Sequence, residues 1–159
     1  MISPKAQFKG INILSVLPDG LNEYKNLLEL ISSMLTAKTK TTDYIAINAF
    51  LPKNSENEMV LQEFRRRLGE KFSLPTTLGF GPRYLHSTGQ LHKGGPNTGL
   101  FLIVTAQRQK DLEIPGQGVT FGVMQRAQAI GDLQALIAKD RQVLWIDLEQ
   151  PDAKILLTD

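Results

Sequence analysis

Both histidines of the chain fall within one stretch, GPRYLHSTGQLHKGGPNTG, running from Gly81 to Gly99. The same stretch carries Arg83 and Lys93, the hydroxyl and amide side chains Ser87, Thr88, Gln90 and Asn97, and five glycines. A histidine with a pKa near about 6.5 exchanges protons at neutral pH. Arg83 and Lys93 can pair with phosphate or carboxylate, the arginine bidentately. Ser87, Thr88, Gln90 and Asn97 can both donate to and accept from sugar hydroxyls. Glycines let the backbone approach a ligand closely. The inventory suits a phosphorylated or polyhydroxylated small molecule, with His86 as proton carrier or ligand contact. His92 is a second candidate. For both, the plainer reading of a satisfied structural histidine stays open.

Charge distribution points the same way. The net charge of +2 is too small to indicate a nucleic-acid binder. From Lys71 to Lys110, however, the chain has no Asp or Glu, while Lys71, Arg83, Lys93, Arg108 and Lys110 lie in that window. An acid-free, donor-rich window is a plausible site for an anionic ligand, although solvated bases in a chance gap would look alike. Other chemistries fit less well. The chain has no cysteine, which excludes disulfides, thiolate chemistry and cysteine-bound metal. The histidines are six residues apart with no third ligand nearby, so no zinc site is expected. GQLHKGG lacks the spacing of a nucleotide-triphosphate loop, and no G-x-S-x-G elbow is present.

The elements that must position this stretch follow from periodicity. A length of 159 residues suits one domain, taken as residues 11–159, with the first ten expected to be poorly ordered. LNEYKNLLELISSMLTA, residues 21–37, has helical spacing, with Asp19 or Asn22 as a cap. DYIAINAFL, 43–51, reads as a buried strand stopping at Pro52. Ser55 and Glu58 form a capping-box spacing that opens a helix to about Glu70, with Arg65, Arg66 and Arg67 as solvated charges. PTTLGF, 75–80, reads as a short strand, and LFLIVTA, 100–106, as a central strand buried on both faces. IPGQG, 114–118, is a turn. A helix follows from Thr120, with Phe121, Met124, Ala127, Leu133 and Leu136 near helical spacing and a weak point at Gly131. RQVLWIDLE, 141–149, is a last strand, and the tail PDAKILLTD is ambiguous. Alternating strands and helices predict an α/β fold with a mainly parallel sheet covered on both faces. The Gly81–Gly99 stretch then begins at the carboxyl edge of the sheet, where ligands usually bind. INILSVL, 11–17, is too short to span a membrane, and no signal-peptide layout is evident. A cytoplasmic protein is the expectation.

GFGPRYLHSTGQLHKGGPNTGLFL, followed by TFGVMQRAQAIGDLQAL, resembles the C-terminal part of phosphoglucose isomerase. The likeness is greatest to the isomerase half of bacterial transaldolase/phosphoglucose isomerase fusion proteins. It covers roughly residues 40–150, with the Gly81–Gly99 block its specific part: His86, then Gln90 and Leu91, then His92. The resemblance implies a sugar isomerase (SIS) subdomain, a three-layer αβα sandwich with a parallel sheet. It also implies interconversion of glucose 6-phosphate and fructose 6-phosphate without metal or cofactor. The matching histidine opens the sugar ring, so His86 would protonate the ring oxygen or assist proton transfer from the neighbouring hydroxyl. In the family that histidine reaches the partner subunit's active site, which implies a dimer. Arg83, Ser87, Gln90, His92 and Lys93 lie within the block and are the candidate substrate contacts, those of Arg83 and Lys93 by charge alone.

The sequence also departs from the family. Isomerisation needs a carboxylate to carry a proton between C1 and C2, and no motif matches the family's glutamate. Glu58 and Glu63 read better as capping and surface residues. The family's phosphate loop belongs to the other subdomain, which a chain of this length is expected to lack. Where a late active-site lysine should fall, the chain has Gln125 and Arg126, and Arg126 is the candidate replacement cation. The expectation is therefore a phosphoglucose isomerase-like domain, incomplete alone, that works as a homodimer or with a missing isomerase or transaldolase partner domain. The alternative is a non-catalytic domain that binds sugar phosphate or another protein. No cofactor, nucleic-acid or membrane partner is expected.

Overall fold

The computed structural model describes residues 4–14, 24–36, 42–108 and 110–158. Six strands form one sheet in the order β1-β2-β6-β5-β3-β4. Strands β3 (Tyr44–Ala49), β4 (Thr76–Phe80), β5 (Gly99–Ala106) and β6 (Gln142–Leu148) pair parallel. Strands β1 (Ala6–Phe8) and β2 (Ile11–Ile13) join antiparallel at the β6 edge. This is an α/β fold. Helices α1 (Leu27–Thr36) and α2 (Ser55–Phe72) cover one face, and α3 (Thr88–Gly94) and α4 (Phe121–Ala138) lie on the other.

Strand β5 shows why the sheet must be covered twice. Side chains alternate along a strand, so Leu100, Leu102 and Val104 enter the core with Leu61, Phe64 and Leu68 of α2. Phe101 and Ile103 enter the opposite core with Ala129, Leu133 and Leu136 of α4. A continuous apolar run is stable only at such a central position, as the sequence predicts.

Several local expectations change. Ala6–Phe8, expected to be poorly ordered, forms β1, because Gly10 at φ 72 lets the chain reverse and pair Phe8 with Ile11. Asp19, Leu21 and Asn22 lie outside the described residues; α1 starts at Leu27, where the Asn26 side chain accepts from the Glu29 amide at 2.9 Å. The capping box is displaced by one residue. Asn54, not Ser55, caps α2 by accepting from the Asn57 amide at 2.8 Å, and Ser55 is the first helical residue. Glu63 is held by Arg66 and Arg67, whose hydrogen bonds bring its carboxyl down to about 2. Helix α4 continues through Gly131, but its buried stripe starts only at Ala129; Phe121, Met124 and Ala127 are exposed. The ambiguous tail forms a 3-10 turn, Ala153–Leu157, whose Ala153 and Leu156 are buried in the core that α2 also fills.

Candidate functional site

After β4 the chain makes a 3-10 turn, Arg83–His86, then α3, before β5 begins. Gly81 is needed at the start, since a Cβ there would run into the Phe50 ring. The segment has an inner and an outer side. On the inner side Tyr84 is buried, packs edge-on to Phe50 at 5.8 Å, and donates its hydroxyl to Asp132 of α4. Lys93 pairs with the other Asp132 oxygen at 2.6 Å. Arg141 holds the carbonyls of Lys93 and Gly95 at 2.9 and 2.7 Å. His92 is 4% exposed and lies between the rings of Tyr84 and Phe101, at 6.0 and 4.9 Å. Its Nδ1 is buried with no hydrogen-bond partner among the described residues. Burial lowers its pKa below the usual imidazole value; the Asp132 charge opposes this and Lys93 adds to it. Burial, with the Asp132 charge and hydrogen bond behind it, pushes the Tyr84 hydroxyl far above its ordinary range, so it stays a donor.

On the outer side Arg83, His86, Ser87 and Gln90 are exposed. Ser87 Oγ donates to the Tyr84 carbonyl at 3.3 Å. The side chains of Arg83, His86 and Gln90 make no hydrogen bond or ion pair among the described residues. The structure thus splits the predicted constellation. Arg83, His86, Ser87 and Gln90 face solvent, while His92 and Lys93 turn inward and brace the segment. Glu58 and Glu63 sit on α2, across the sheet from this segment.

Arg126 lies elsewhere. A cleft of about 960 Å³ opens beyond the ends of β5 and β6, beside the first turns of α4, and Arg126 alone of the seven predicted residues lines it. Its floor is a polar row. Gln7, Asn12, Asp147 and Thr105 occupy matched register positions on β1, β2, β6 and β5. Gln7 Nε2 donates to Asn12 Oδ1 at 2.6 Å, and Thr105 Oγ1 donates to Asp147 Oδ1 at 2.5 Å. Arg126 reaches down from α4 to Asp147 at 2.9 and 3.4 Å and lies over the Trp145 ring at 5.3 Å. Trp145 Nε1 donates to Thr105 at 2.8 Å. At the rim the Asp111 carboxylate accepts from Thr120 and from the Gly122 amide, and Thr120 caps α4 by accepting from the Val123 amide at 3.2 Å. The Thr120 hydrogen bond chiefly holds Asp111 below its ordinary carboxylate value. Phe50 belongs to both regions, packing on Tyr84 and forming part of the cleft wall.

Sequence reasoning passes over Asn12, Thr105 and Asp147. The available signal is a polar residue set between apolar neighbours in each of three apolar runs: Asn12 in INILSVL, Thr105 in LFLIVTA and Asp147 in QVLWIDL. Their alignment depends on strand order and register. Among the described residues no group of three His, Asp or Glu is placed to hold a metal, and no helix is long and apolar enough to cross a membrane.

No family model and no curated protein matches the chain. Among solved structures it is similar to that of a hypothetical protein, TT0462, from Thermus thermophilus, with a TM-score of 0.65 and 18% identity. The likeness covers 80% of this chain and 35% of that one, so this chain matches about a third of its neighbour's length. At that identity, what the two chains are shown to share is an α/β fold.

Proposed function

We propose that the chain is a sugar isomerase-like domain of the phosphoglucose isomerase type, taking part in glucose 6-phosphate/fructose 6-phosphate interconversion and incomplete alone. The observation that carries the reading is the arrangement around His86. Its imidazole is exposed and has no side-chain partner among the described residues, yet the turn bearing it is braced from below by Tyr84, Asp132 and Lys93. A proton carrier that serves a site completed by another chain or domain needs both properties, a rigid base and a free imidazole. Arg83 and Gln90 stand beside it with their polar groups available to a ligand. The carboxylate that would move the C1–C2 proton must then come from a homodimer partner or from a further isomerase domain.

The test is a coupled fructose 6-phosphate to glucose 6-phosphate assay on the purified chain beside His86→Ala. Turnover lost in the variant supports His86 as the proton carrier and, by showing that the chain holds a complete site, overturns the reading that it is incomplete alone. Turnover that survives the substitution overturns that role. A folded chain that neither turns over nor binds fructose 6-phosphate overturns the sugar-phosphate reading. Binding without turnover supports the non-catalytic alternative; the pairing of Arg126 with Asp147, away from His86, leaves the catalytic reading without its replacement cation.

A further inference from the structure

We propose that the cleft between α4 and the β5–β6 edge is a binding site for an uncharged polyhydroxylated molecule, a sugar or polyol recognised without a phosphate. The inference is independent of turnover at His86.

Charge is the first ground. The sequence singles out Arg126 as a cation for an anionic group, but the folded chain offsets it with Asp147, which is 3% exposed. Arg108, the other cation of the lining, donates to Gln125 and faces the Asp111 charge. Two arginines in the lining therefore meet two acids, Asp111 and Glu149, with the Asp147 carboxylate beneath them. Binding an anion calls for uncompensated positive charge or several aimed donors, and this cleft supplies no surplus of positive charge.

Hydrogen-bonding capacity is the second ground. Five carboxamides, Gln7, Asn12, Gln107, Gln125 and Gln150, line one cleft. Gln7 gives its amide hydrogen to Asn12, which leaves Gln7 Oε1 as an acceptor and Asn12 Nδ2 as a donor with no other partner among the described residues. Gln125 Oε1 accepts from Arg108, leaving its NH₂ group as a donor. Paired donors and acceptors of this kind match hydroxyl groups, each of which both gives and takes. Leu14, Phe50 and Ile130 supply apolar walls for the C–H faces of a ring. A volume of about 960 Å³ accommodates a molecule of monosaccharide size.

The third ground is the polar row itself. Thr105 and Asp147 interrupt strands that otherwise fill the α4-side core with Phe101, Ile103, Val143 and Trp145. Buried polar groups cost stability unless they are satisfied. Three of them, Asn12, Asp147 and Thr105, in register across three strands, extended at the edge by the exposed Gln7 and with Arg126 fixed above, make a rigid polar floor of the sort a ligand site requires.

Trp145 is the sole tryptophan and lies under Arg126, so its fluorescence reports the cleft. Titrations of the whole chain with glucose, glucose 6-phosphate and inorganic phosphate test the proposal. Glucose is expected to give a saturable change, glucose 6-phosphate the same change within about threefold in concentration, and inorganic phosphate none. His86→Ala should leave the glucose response intact, so failure of the isomerase reading and failure of this one are distinguishable. Gln125→Ala should weaken glucose about two- to tenfold. The double variant Asp111→Asn/Glu149→Gln removes the two acids of the lining and should gain a phosphate response. A wild-type response to phosphate, or none to glucose, overturns the proposal.

Discussion

The two regions rest on the same small device, a buried carboxylate shared between a cation and a hydroxyl. Asp132 is 4% exposed, pairs with Lys93 at 2.6 Å and accepts from Tyr84. Asp147 is 3% exposed, pairs with Arg126 at 2.9 Å and accepts from Thr105. What differs is what stands on each. Asp132 ties down a segment whose exposed side chains, Arg83, His86, Ser87 and Gln90, point away from it. Asp147 ties down the site surface itself, because its cation and its hydroxyl both line the cleft. One carboxylate braces a turn from below, and the other sets the charge of the cleft surface. A cation in a sequence therefore says little about ligand charge until its partner is known.

Removing the cation from each pair is expected to have the largest effect. Lys93→Met and Arg126→Met should each cost about 3 kcal/mol in urea unfolding, because each strands a buried carboxylate. A cost under about 1 kcal/mol for either would show that water reaches that carboxylate and break the parallel. The hydroxyls sharpen the comparison. Tyr84→Phe removes one hydrogen bond and should cost about 1–2 kcal/mol. Thr105→Val removes two, one to Asp147 and one from Trp145, so it should cost about 1 kcal/mol more. Equal costs would mean that the Trp145 bond contributes nothing.

A smaller effect follows from His92, which only the Asp132 side possesses. Its pKa is lowered in the fold, chiefly by burial, so the unfolded chain binds the extra proton first as pH falls. Stability should drop as pH goes below about 6.5, the ordinary imidazole value, and level off once pH has passed the lowered folded value. His92→Phe should flatten that slope in unfolding midpoints compared between pH 7.5 and pH 5.0. An unchanged slope would assign the acid sensitivity to other groups. The smallest expected effect is on the outer side, where His86→Ala should leave stability within about 0.5 kcal/mol. A larger loss would mean that His86 has a structural role.

Much of the fold was legible because strands and helices announce themselves by local period. LFLIVTA had to be a central strand, and the runs 43–51, 75–80 and 141–149 lie where β3, β4 and β6 form. The hairpin of β1 and β2 was not legible, since a strand of three residues carries almost no periodicity and depends on the β6 edge for its hydrogen bonds. The site was legible in composition and not in direction. Arg83, His86, His92 and Lys93 looked alike as polar members of one stretch. Only the 3-10 turn and α3 decided which of them faced Asp132 and which faced water.

The sequence by itself determined which residue types were available, that no thiol chemistry exists, and that apolar runs would make a covered sheet. Those are properties of composition and short-range spacing. Tertiary structure alone decided that Asn12, Thr105 and Asp147 would meet in one row, and that Arg126 and Lys93 would each find a buried carboxylate. Strand order, register and helix docking set those meetings between residues far apart in the chain. No local pattern encodes them.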